Sequence, residues 1–159
     1  DLDHRPEIAG IALYSPAILL DDPRLRFAGL AKYLIPKFGK NRSCVAESEV
    51  EQRVWSYDAW PTAAIHELVK FIGQVKDGLP RVQCPALIVY STADDHIHPD
   101  SARFTYEHLG SEDKEMVTLH ESGHCITADV EWERVAQETC RFMAAHVPGA
   151  PTRGARTAG

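Results

Sequence analysis

An α/β fold, with parallel strands flanked by helices, is predicted by three features of the sequence. Short continuous apolar runs are separated by segments of helical periodicity, and turn-forming residues mark the junctions. "EIAGIALYSP" is an almost unbroken apolar run ending at Pro16, the pattern of a strand buried on both faces, and "PALIVYS" repeats it. A third run, "EMVTLH", follows after "PDSARFTYEHLG". In that connecting segment Pro99 starts a helix, Phe104 and Leu109 share its apolar face, and Gly110 stops it. Strand, helix, strand in this order makes a βαβ unit with a parallel pair.

Taken in order, the first strand spans 8–14 and is followed by a stretch of different texture at 21–80. There "RLRFAGLAKYLIPKF", "ESEVEQRVW" and "PTAAIHELVKFIGQV" read as three helical segments. The last carries Ile65, Leu68, Val69, Ile72 and Val75 on one stripe. An insertion of this length exceeds what a plain crossover between strands needs. Strands at 85–91 and 114–119 come next, with the helix from Pro99 between them. Asp129 is then placed to cap a final helix with Trp132, Val135, Ala136, Thr139, Phe142 and Met143 at helical spacing, ended by Pro148. The tail "PGAPTRGARTAG" has too little apolar content to fold. The domain reading is therefore one unit over 1–147, with an insertion at about 21–80 and a flexible tail at 148–159.

Composition narrows the function classes. With 159 residues, 44% of them apolar, the chain supports one sizeable core and not two ordinary domains. A net charge of −6 with both signs well mixed argues against nucleic acid or an acidic membrane surface as partner. No run reaches the ~20 apolar residues of a membrane span, so stable membrane insertion is not expected. Cys44, Cys84, Cys125 and Cys140 are widely spaced and form no C-x-x-C, which favours free thiols in a reducing compartment and a cytoplasmic location.

The string "LHESGHCITAD" at 119–129 holds the residue most in need of explanation, His124. It follows the third apolar run and Gly123, whose missing Cβ permits a sharp turn, a setting that suits a general base. Such a base needs an acid behind it. "STADDHIHPDSA" directly follows the second βαβ-type run and supplies Asp94, Asp95 and Asp100 at a strand's C-terminal end, where open α/β sheets place their chemistry. Asp100 lies in the first turn of a helix, where the dipole alone favours a carboxylate. Asp94 is the better partner than Asp95, because a tight turn over "TAD" aims it across the end of the sheet while Ile97 packs the loop down. On adjacent strands, Asp94 and His124 form the acid–base half of a Ser-His-Asp triad.

The spacing of 30 residues between Asp94 and His124, the string "PALIVYSTADDHIHPDSARFTYEHL" and above all "ESGHCITAD" resemble the C-terminal part of α/β-hydrolases, in particular small bacterial carboxylesterases and monoacylglycerol lipases. The resemblance runs to about residue 147 and is looser through "YDAWPTAAIHELVKF". It implies that Asp94 is the triad acid, that His124 is the base within an S-G-H-x-x-T-x-D string, and that residues 21–80 are a helical cap. It also implies a small-molecule ester as substrate and a chemistry that needs no cofactor. Leu30, Tyr33, Leu34 and the Ile65–Ile72 stripe would then form an apolar lid over an acyl chain, with packing onto the sheet as the plainer role for that stripe. Ile97 and Cys125 are candidate pocket-lining residues; the Cys125 thiol follows the base and does not face it, so it is not read as a nucleophile.

The nucleophile is the departure from the family pattern. A nucleophile elbow reads G-x-S-x-G, because small residues must flank a serine on a strained strand-to-helix turn. No pair of glycines four apart encloses any of the eight serines, and Ser91 and Ser122 flank the Asp94 and His124 loops without an elbow. In such folds the serine precedes the acid and the base, and one helix of ordinary length puts it about 10–15 residues ahead of Asp1. Together with the lack of an initiator methionine, this predicts the C-terminal portion of a larger hydrolase, inactive alone, with residues 8–14 at an open edge of its sheet. Two other readings stay open. Asp94, Asp95, His96, His98, His120 and His124 are all metal-ligand types, and a hydrolase-like domain can serve interaction without catalysis. His4, His66, His108 and His146 read as ordinary surface or helix-end residues.

Overall fold

A computed structural model of the chain describes residues 8–20, 25, 27–31, 33–39, 45–46 and 59–147. In chain order the elements are β1 (Ile11–Tyr14), a short helix α1 (Ala28–Ala31), β2 (Lys37–Gly39), β3 (Ala59–Pro61), α2 (Thr62–Gly78), a 3-10 turn (Leu79–Arg81), β4 (Ala86–Ser91), α3 (Ser101–His108), β5 (Lys114–Leu119) and α4 (Trp132–His146). β1, β4 and β5 form a parallel sheet in the order β1-β4-β5, with Ile11 opposite Ala86 and Ala86 opposite Lys114.

β4 holds the middle because its uncharged run ALIVYS can be covered on both faces. The pleat divides it. Leu87 and Val89 pack with Leu119, Ile126, Val135 and Phe142 under α4, while Ala86 and Ile88 pack with Leu79, Ala102 and Leu109 under α3 and the end of α2. Each of the larger side chains among these contributes about 1.5–3 kcal/mol by leaving water, and the two alanines less. α3 is tied to the chain after β1 by Ser101, whose buried hydroxyl donates to the Pro16 carbonyl at 2.6 Å and accepts from the N–H groups of Ile18 and Leu19. Gly110 ends this unit for a steric reason: a Cβ there would stand 2.0 Å from the Pro80 carbonyl oxygen.

Several sequence expectations need correction. The strand read at 8–14 is formed only over Ile11–Tyr14. "RLRFAGLAKYLIPKF" is not one helix: its described residues give only α1, and beyond Pro36, which cannot continue a helix, Lys37–Gly39 pair antiparallel with Ala59–Pro61. Leu68 is exposed, so the inward stripe of α2 is carried by buried Ile72 with half-buried Ile65, Val69 and Val75. In α4, Val135 and Phe142 are buried but Trp132, Ala136 and Met143 are exposed, because beyond β1 there is no further strand among the described residues for them to cover. The residue at the N-cap of α4 is Glu131; Asp129 stands outside the helix, and its carboxylate turns toward the preceding loop. "ESEVEQRVW" and the tail from 148 onward lie outside the described residues. Among the described residues no helix is long and apolar enough to cross a membrane.

Candidate active site

The site forms at the carboxyl ends of β4 and β5. The Thr92 N–H donates to the Leu119 carbonyl at 3.0 Å, carrying the strand pairing one step past β4. The chain then turns tightly over Ser91, which accepts from the N–H groups of Ala93 and Asp94. That turn drives Asp94 inward. Its side chain is 2% exposed, Oδ1 accepts the His96 N–H at 2.9 Å, and Oδ2 lies 2.8 Å from His124 Nδ1. Burial works to raise the Asp94 pKa, but the hydrogen bond from His124, the His96 N–H and the nearby imidazoles outweigh it and hold the carboxyl below its ordinary value. A carboxylate at Nδ1 keeps the proton on that nitrogen and leaves Nε2, on the far edge of the ring, as the basic atom. The His124 side chain is 33% exposed, so a reacting group has access to it.

Asp95 points elsewhere. Its Oδ1 lies 3.0 Å from His96 Nδ1, and the His96 ring stacks on His124 with centroids 5.7 Å apart. Asp100 pairs with Arg103 at 2.9 Å, away from the cluster. Ile97 and Cys125 are half-buried beside the two loops. Of the other ligand-type side chains, His98 accepts the Asp100 N–H through Nδ1, and His120 Nδ1 meets the Thr92 hydroxyl at 3.1 Å. Among the described residues no group of three or more His, Cys, Asp or Glu side chains converges to hold a metal ion. The two neighbouring serines serve the loops: Ser91 Oγ accepts the Ala93 N–H, and buried Ser122 exchanges hydrogen bonds with Glu131.

The loop carrying His124 is held by two carboxylates that sequence reasoning assigned no part in the site. Glu131 Oε2 accepts the backbone N–H groups of His120, Glu121 and Ser122 at 3.1, 2.9 and 3.0 Å, and the Ser122 hydroxyl at 3.0 Å. Asp129 Oδ2 accepts the next N–H, that of Gly123, at 2.7 Å. Four consecutive amides before His124 are thereby fixed. For Glu131, burial raises the pKa, but the Glu121 and Ser122 N–H groups and the Ser122 hydroxyl outweigh it and leave the carboxyl below its ordinary value. The available signal is the pair of acids in "SGHCITADVE"; the helix-cap reading accounts for Asp129 alone and leaves Glu131 without a role.

The parallel sheet that carries this pair is also the fold that similarity shows. The family model described as serine aminopeptidase, S33, matches residues 2–131. The chain belongs to this α/β-hydrolase family. This α/β-hydrolase is 28% identical over 145 residues to the thermostable monoacylglycerol lipase of Bacillus sp. (strain H-257), covering 91% of this chain and 56% of that protein. It is 26% identical over 95 residues to a carboxylesterase of Bacillus subtilis (strain 168), covering 60% of this chain and 39% of that protein. A solved structure described for the metagenome-derived lipolytic enzymes LipS and LipT matches with a TM-score of 0.80 at 28% identity, over 87% of this chain and 56% of that one. The monoacylglycerol lipase of Paleococcus ferrophilus shares the fold, with a TM-score of 0.74 at 18% identity, over 87% of this chain and 60% of that one. The α/β-hydrolase chain thus spans about half the length, or less, of the curated relatives it matches.

Proposed function

We propose that the complete protein is a carboxylic ester hydrolase, a carboxylesterase or an acylglycerol lipase, in which His124 is the general base and Asp94 its orienting acid. The observation that carries this reading is the 2.8 Å contact between buried Asp94 Oδ2 and His124 Nδ1, on the loops that follow two adjacent parallel strands. Similarity to a monoacylglycerol lipase and a carboxylesterase supports esters as the substrate class.

In this mechanism a serine attacks the ester carbonyl and passes its proton to His124 Nε2. The imidazolium, stabilised by Asp94, returns that proton to the departing alcohol, and water then releases the acid from the acyl-enzyme. No serine of this sequence stands in a G-x-S-x-G elbow, so the nucleophile and the oxyanion hole beside it are assigned to a segment preceding β1. Residues 21–80 act as the cap. Exposed Leu30, Tyr33 and Leu34 on its described part are suited to receive an acyl chain. Cys84 and Cys140 are free thiols, in keeping with work in a reducing compartment such as the cytoplasm.

The same apparatus can cleave amides, as the family's description implies, and one assay separates the two. The complete protein is expected to turn over p-nitrophenyl esters far faster than aminoacyl p-nitroanilides, and to lose that activity to a serine-directed organophosphate. Turnover of the anilides alone would replace the ester reading with a peptidase. The 159-residue polypeptide by itself, lacking nucleophile and oxyanion hole, is expected to show no organophosphate-sensitive turnover.

A further inference from the structure

We propose that Asp129 is a positioning residue for His124, acting through the backbone of the loop that presents the base. This inference rests on the reading of His124 as that base. Asp129 is fully buried, a costly place for a carboxylate unless its oxygens are well bonded. Both oxygens accept backbone N–H groups: Oδ1 that of Val130 at 3.0 Å, and Oδ2 those of Gly123 at 2.7 Å and Ala46 at 2.6 Å. Gly123 directly precedes His124, and Ala46 belongs to the insertion between β1 and β4. One oxygen therefore holds both the amide of the residue directly before His124 and the insertion at Ala46.

Geometry explains why this matters for His124. The imidazole meets Asp94 through a single contact at Nδ1, and the ring's direction follows from where the Gly123–His124 backbone lies. Glu131 holds the three amides before that point, but the last link before His124 is held by Asp129. Without an acceptor the Gly123 N–H would be buried and unpaired, and a small rotation of the loop would relieve it while swinging the ring from Asp94. Displacements of about 1 Å at a reacting group cost on the order of 100-fold in rate.

The test uses the complete protein with Asp129→Ala and Asp129→Asn. The alanine variant is expected to lose about 10–100-fold in kcat with KM changed by less than about twofold. The asparagine variant should recover most of that loss, since its amide oxygen can still accept the Gly123 N–H. A residue with only a structural part would lower thermal stability and leave kcat per folded molecule unchanged; that result overturns the proposal. Should the alanine variant not fold, Asp129→Ser takes its place: its shorter side chain leaves the Gly123 N–H without its present acceptor, and a wild-type kcat in that variant overturns the proposal equally. A crystal structure of the alanine or serine variant supplies a readout independent of activity: the Asp94–His124 contact, 2.8 Å in the wild type, is expected to lengthen, and an unchanged contact overturns the proposal. If the wild-type protein hydrolyses no ester, the function reading fails, yet the structural arm still decides the role of Asp129.

Discussion

Asp94 Oδ2 and His124 Nδ1 meet at 2.8 Å while the adjacent acid, Asp95, turns to His96. Two neighbouring carboxylates thus have different partners, and mutation should separate them. Asp94→Asn offers His124 an amide NH2 where it had an acceptor, which favours the tautomer with Nε2 protonated and unable to accept a proton. Loss of about 10³–10⁴-fold in kcat is expected in the complete enzyme, by the logic of triads generally. Asp95→Asn should change kcat by less than about threefold, within the range of surface substitutions. Steady-state kinetics on both variants checks this, and a reversed order would make Asp95 the functional acid.

The sequence was most legible where one local rule governs an element. β4 and β5 lie within a residue of their apolar runs, and the turn over "TAD" placed Asp94 because strand-end chemistry needs only the strand to be found. Pairing across long separations was not visible: β2 joins β3 through the register of Lys37 with Pro61, and nothing near Lys37 announces a partner so distant. Asp129 and Glu131 were hidden for another reason. A helix cap is a sufficient local explanation for Asp129 and leaves Glu131 without a role, whereas the actual partners of both are amides across a loop. The helical spacing of Trp132 and Met143 identifies the helix but leaves their exposure illegible, since periodicity gives a face but not what covers it.

Titration should erode the fold from both sides. Asp94 and Glu131 have carboxyls held below their ordinary pKa values, so each contributes stability above its unfolded pKa of about 4 and loses it as pH falls through the lower folded value. His146 is the opposite case. The Phe142 carbonyl at 2.8 Å and Asp113 at 3.0 Å favour its charged form and raise its pKa. Its contribution is complete below an unfolded value of about 6.5 and disappears as pH rises through the folded one. Glu131→Gln is expected to lower stability at neutral pH by about 1–3 kcal/mol and to flatten the acid limb. His146→Gln should flatten the limb above neutrality. Thermal melts of the complete protein across pH read both, and parallel curves for wild type and variants would contradict the assignment.

Ser15 should be improvable. It directly follows β1 with φ of 43°, a left-handed conformation that costs a non-glycine residue about 1–2 kcal/mol. Its buried Oγ finds no hydrogen-bond partner among the described residues. Glycine accepts that φ freely, although its looser unfolded chain offsets part of the gain. Ser15→Gly is expected to stabilise the complete protein by about 1 kcal/mol in a denaturant titration. Destabilisation instead would show that the hydroxyl has a partner in the complete protein.

The 159-residue polypeptide should self-associate through β1. β4 occupies one side of β1, and among the described residues no strand occupies the other. Ile8 and Tyr14 are exposed, and Ile11 and Leu13 are half-buried where the residues of β4 are mostly buried. Beside this edge lies an open groove of about 300 Å³ lined by Gly10, Tyr14, Phe142 and Met143. Residues 11–14 contain none of the charges or prolines that natural edges use to repel a second strand. Backbone geometry supplies a clean probe. The N–H groups of Ile11 and Ser15 donate toward β4, so by strand alternation that of Ala12 points outward. Ala12→Pro removes an outward donor and leaves the bonds to β4 in place, the one arrangement in which an edge strand tolerates proline. Sedimentation at several concentrations should show wild type associating and Ala12→Pro shifted toward monomer. A wild-type polypeptide that stays monomeric and binds no hydrophobic dye would show that β1 is covered in solution.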